Sequence, residues 1–69
     1  MGHMQRYDTR MPAPTPKETW IAQFVSELTI NLRPGYPLKH ASRVAHLQWA
    51  TDQHRPPREA AQRWHEANQ

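Results

Sequence analysis

The 69-residue chain contains no cysteine. That removes disulfide staples and cysteine-based zinc sites in one step. It has only two glycines, Gly2 and Gly35, so there is no glycine-rich loop to cradle a phosphate. No apolar run approaches the roughly 20 residues that a bilayer-crossing helix needs. No signal-peptide pattern opens the chain either. Together with the missing cysteines, this points to an intracellular, cytoplasmic protein. No serine stands in a recognisable nucleophile setting, and a domain this small struggles to enclose a pocket of several hundred Å³. Enzymatic chemistry is therefore not expected, and neither is a cofactor.

Acidic residues are in the minority, six against nine lysines and arginines, for a formal charge of +3. The excess is unevenly spread. Residues 1–17 hold Arg6, Arg10 and Lys17 against Asp8, a net of +2. Residues 18–69 hold six basic residues against five acidic ones, a net of +1. The folding part is nearly balanced, whereas a dedicated nucleic-acid binder carries a stronger basic excess on its folded face.

Proline is plentiful, and it organises the chain. Gly2-His3-Met4 reads as a cloning remnant, so Met1 to His3 are set aside. Pro12, Pro14 and Pro16 alternate in a stretch without helical or strand period. Alternating prolines remove backbone donors and favour extended polyproline II geometry. Residues 1–14 are read as a disordered tail, and residues 15–69 as one small domain. A proline-recognising partner for the tail is the weaker reading, because a bare P-x-P-x-P is common.

Thr15-Pro16-Lys17-Glu18 has the pattern of a capping box: a threonine cap, proline at the first helical position and glutamate three residues after the cap. Trp20, Ile21, Phe24, Val25, Leu28 and Leu32 then fall on one helical stripe, which predicts a helix over 16–32. Ile30 falls off the stripe. Pro34 and Gly35 end the helix. Leu28 to Leu32 also alternates as a strand would, but the capped stripe upstream favours helix.

A second helix is expected over 37–52, with Leu38, Ala41, Val44, Ala45, Gln48 and Trp49 on its inner face. A third is expected over 57–67, started by Pro57, with Ala60, Ala61, Trp64 and Ala67 inward. Glu59 and Arg63 are spaced to pair along it. The expected fold is a small all-α three-helix domain. Its expected core is Trp20, Phe24, Leu28, Val44, Ala45, Trp49 and Trp64, one tryptophan from each helix. Large aromatics suit a chain that buries only about 60% of its unfolded surface.

Two features are left over. Ile30 and Leu47 are apolar and expected outside, with Val25 at a stripe edge, which makes a homodimer as reasonable as a different protein partner. Lys39, Arg43, His46 and Ala50 share the outer side of the second helix, Leu47 lies towards it, and Arg55 and Arg58 follow. Lys39, Arg43, His46, Leu47, Arg55 and Arg58 form the candidate face for a partner or an anion. The favoured function is a non-enzymatic protein–protein interaction or dimerisation module.

The alternative is a helix-turn-helix-like DNA binder using helices two and three. Arg58, Gln62, Arg63, His65 and Asn68 could reach base edges. Against it stand a proline-stiffened linker and Glu59 and Glu66, which would face phosphates. Metal binding is not expected. His40, His46, His54 and His65 include no pair at the four-residue spacing that brings ligands together on a helix.

Overall fold

The computed structural model describes residues 15–69; the tail expected over residues 1–14 lies outside the described residues. Three α-helices follow in chain order: α1 over Pro16–Ser26, α2 over Leu38–Asp52 and α3 over Pro57–Ala67. A π-helical turn over Glu27–Leu32 continues α1. The fold is all-helical, and α1 with its π extension is the element against which α2 and α3 pack.

The capping box closes as its residue types require. The Glu18 amide donates to Thr15 Oγ1 at 3.1 Å, and the Thr15 amide donates to Glu18 Oε1 at 2.9 Å. Two otherwise orphaned donors are thereby satisfied. Both other helices begin at prolines, with Pro37 and Pro56 in the cap positions and Pro57 as the first residue of α3. Proline's fixed φ suits a helix start, and it has no amide to leave unpaired.

The π turn departs from the uniform helix expected over 16–32. The Thr29 hydroxyl donates to the Val25 carbonyl at 2.8 Å, competing for the acceptor that the Thr29 amide would use in an α-helix. The Arg33 amide then reaches back five residues to the Leu28 carbonyl at 2.7 Å, the π pattern. Leu28 stays fully buried, and Ile30 points outward at 66% exposure.

After Arg33 the chain reverses through Pro34-Gly35. The Tyr36 amide donates to the Arg33 carbonyl at 2.9 Å, and Gly35 has φ +88°. Proline followed by a glycine at positive φ is the type II arrangement. A Cβ at Gly35 would meet no atom within 4 Å, so steric crowding is not at stake there. Gly35→Ala should still lower stability by about 1–2 kcal/mol, the cost of a side chain in left-handed geometry. Urea unfolding would measure it, and an unchanged midpoint would show that the turn can be remade.

The core differs from three tryptophans meeting at a centre. Its buried residues are Trp20, Phe24 and Leu28 from the first element, Ala41 and Ala45 from α2, and Ala60 and Ala61 from α3. Large side chains from α1 and the π turn face alanines on both neighbours, which lets the backbones approach closely. Trp20 stacks on Phe24 with ring centroids 5.4 Å apart. Its indole Nε1 donates to the Arg55 carbonyl at 2.8 Å, which satisfies a buried donor and pins the α2–α3 connection.

Val44, Trp49 and Trp64, expected in the core, are instead half-buried around its edge. Trp49 meets Trp20 edge-on at 5.6 Å. The short third helix fills the centre with alanine, so its one large ring is left to cover the side. Leu38, expected on the inner face, is exposed because it stands at the first turn of α2, beyond the reach of the core. Glu59 is held by Arg55 at 3.6 Å in place of the expected Arg63.

Candidate functional site

Four of the six candidate residues come together. Lys39, Arg43, His46 and Leu47 are all exposed on the solvent side of α2. The buried residues Ala41 and Ala45 fix the inner side of the helix. At 100° per residue, Lys39, Arg43 and Leu47 then fall opposite it. Ala50, expected on this side, is exposed there, and so is His40, for which the seven-residue step to Leu47 is the signal in the sequence. Leu47 is 65% exposed, with cations one and two turns before it.

The other two candidates do not join this face. Arg55 Nε lies 3.3 Å from Asp52 Oδ1, and its Nη1 lies 3.6 Å from Glu59 Oε2. Arg58 Nε lies 3.3 Å from Glu27 Oε1. Arg55 is held between two carboxylates, and Arg58 makes one contact with Glu27 while its side chain stays 76% exposed. The expected continuous basic surface from Lys39 to Arg58 therefore shrinks to α2 alone.

The remaining carboxylates are also engaged. Glu18 closes the capping box. Glu27 accepts from Asn31 as well as Arg58. Asp52 accepts from Gln48 as well as Arg55, and Glu66 accepts from Gln62. Among the described residues, no carboxylate pairs with Lys39 or Arg43.

A second cluster, which sequence reasoning did not anticipate, sits at the end of α3. The Arg33 guanidinium lies over the Trp64 ring, 4.9 Å from its centroid, and 5.7 Å from that of Tyr36. Arg33 Nε donates to His65 Nδ1 at 3.0 Å, and Nη2 donates to the Asn68 carbonyl at 2.6 Å. These donors satisfy carbonyls and a ring nitrogen at the C-terminus of α3, where a cation also opposes the helix dipole. The group is a structural clasp, with its donors turned onto its own chain.

A shallow groove of about 420 Å³ runs between the starts of α1 and α3, lined by Pro16, Thr19, Trp20, Gln23 and Pro57. No titratable side chain lines it, so it offers no general acid or base. Among the described residues no three metal-ligating side chains converge, and no helix is long and apolar enough to cross a membrane. No known family model, curated protein or solved structure matches the chain.

Proposed function

We propose that this domain is a non-enzymatic protein-interaction module that presents the solvent face of α2 to a protein partner. The observation that supports this most is the charge arrangement around Leu47. Every described carboxylate side chain has a partner elsewhere in the chain, while Lys39 and Arg43 stand two turns and one turn before an exposed leucine with no acid beside them. Lys17 and Arg63 also have no carboxylate partner, but no exposed large apolar residue shares their helix face. A single exposed leucine is ordinary. One set among cations whose countercharge is missing has the ingredients of an interface: an apolar anchor inside a polar rim.

DNA binding draws less support. Of the five side chains on α3 that could read bases, Arg58, Gln62, His65 and Asn68 contact Glu27, Glu66, Arg33 and the Trp64 carbonyl respectively, which leaves Arg63 exposed without a carboxylate partner. Freeing His65 and Asn68 would loosen the end of α3, and Glu59 and Glu66 on the same exposed side would face phosphates.

The test is photocrosslinking in the source cells with p-benzoylphenylalanine in place of Ala50. A discrete protein adduct is expected. It should disappear with Leu47→Asp and with the pair Lys39→Glu and Arg43→Glu, while the thermal midpoint stays unchanged. No adduct, or the same adducts from a crosslinker placed at Gln62 on α3, would overturn the reading.

A further inference from the structure

We infer that the occupant of the α2 face is an acidic amphipathic helix of a different protein, and not a second copy of this chain; this rests on α2 being the docking face. The face runs from Lys39 to Ala50, about 16 Å at 1.5 Å rise per residue. It carries two fixed cations, two exposed histidines, His40 and His46, and Leu47. Within one copy no described carboxylate lies beside these cations, because Glu18, Glu27, Asp52, Glu59 and Glu66 have their contacts on other parts of the fold.

A second copy supplies the wrong chemistry on each face considered for it: beside the exposed Ile30, Glu27 is only 14% exposed and is held by Arg58 and Asn31. Two α2 faces laid together bring basic surface against basic surface, with no carboxylate between them. The solvent side of α3 does offer Glu59 and Glu66. Beside them it exposes only the small Ala67, which offers little surface to receive Leu47, and exposed ion pairs alone are too weak to offset the freedom lost on association.

Nucleic acid fits no better. A duplex carries one charge per roughly 1.7 Å of axis, so about nine charges would lie along 16 Å of face. Two fixed cations meet them, and Leu47 would sit against phosphates. The natural complement of a single convex helix face is another helix, its ridges set into the grooves at about 8–10 Å between axes. Carboxylates one turn apart on that helix would meet Lys39 and Arg43, and an apolar gap beside them would take Leu47.

The experiment is amide chemical-shift mapping on the full chain at low salt, where the screening length is longest. Four probes are compared. One is a 16-residue helical peptide with a leucine stripe flanked by glutamates at four-residue spacing. The second is its lysine-for-glutamate counterpart, the third a 16-base-pair duplex, and the fourth the protein alone across a dilution series. The acidic peptide should shift amides of residues 39–50 and bind about tenfold or more tightly than the lysine peptide. Lys39→Glu with Arg43→Glu should invert that preference, and Leu47→Asp should weaken the acidic peptide.

Equal binding of both peptides would overturn the inference. So would tighter binding of the duplex, or the same shifts arising on self-association. If a Leu47-dependent crosslink at Ala50 survives while the acidic peptide shows no preference, the docking face stands and its acidic occupant falls. If both fail, both readings fall.

Discussion

Phe24→Ala is expected to abolish cooperative unfolding, leaving a protein that is largely unfolded at 25 °C. Phe24 is fully buried, stacked on Trp20, and a member of the core with the four alanines of α2 and α3. Truncating a buried phenylalanine costs about 3–5 kcal/mol, the sum of lost transfer energy and the cavity left behind. A domain below roughly 70–80 residues seldom draws more than about 3–5 kcal/mol from its single core. The two magnitudes are equal, so the loss takes away most of what keeps the chain folded. Alanine neighbours cannot swing large side chains into the hole. Circular dichroism should show a shallow, featureless thermal curve. A Leu47→Ala control, changing an equally apolar but exposed residue, should melt within about 0.5 kcal/mol of wild type. A Phe24→Ala protein with a sharp transition near the wild-type midpoint would show that the core is centred elsewhere.

What the sequence makes legible here is governed by distance along the chain. The start of α1 was readable because a capping box is closed by residues three apart, Thr15 and Glu18. The start of α3 was readable because Pro57 carries its own constraint on φ. Lys39, Arg43, His46 and Leu47 were readable as one face because a single unbroken helix carries them, and a 100° step is enough to place them together.

Contacts between elements were harder to read. Arg58 looked like part of a basic surface until Glu27, 31 residues earlier in the chain, proved to hold it. Arg33 marked only a helix end in sequence, yet it reaches 32 residues forward to His65. The π turn depends on a hydroxyl of Thr29 choosing a backbone acceptor, a choice that hydrophobic periodicity does not register. The core departs from the sequence expectation for a related reason. Three tryptophans suggest a common centre by size, but alanines on α2 and α3 bring the helices too close for all three rings to fit inside. Trp49 and Trp64 therefore became edge residues.

Trp64→Ala should release the last turn and a half of α3 while α1 and its capping box remain intact. Trp64 is half-buried, meets Tyr36 edge-on at 6.1 Å, and carries the Arg33 guanidinium on its face. Removing the ring takes away apolar cover and also the platform that holds Arg33 against the Asn68 carbonyl. The cost should be about 2–3 kcal/mol, under the range for a fully buried tryptophan because part of the ring stays in water. Arg33→Met keeps much of the side-chain bulk and removes only the donors and charge. It should cost about 1 kcal/mol, the net worth of a partly exposed charged hydrogen bond. Because Arg33 and Trp64 act through each other, the double variant should cost less than the two single losses together. Hydrogen exchange locates the effect better than a melting curve does. Amides at residues 64–68 should exchange about fivefold faster in Arg33→Met, since about 1.4 kcal/mol of local opening is one factor of ten and the loss is about 1 kcal/mol. Amides at residues 19–24 should be unaffected. Equal acceleration throughout the chain would mean that the clasp belongs to the global core, and strict additivity in the double variant would mean that Arg33 fastens α3 without the tryptophan beneath it.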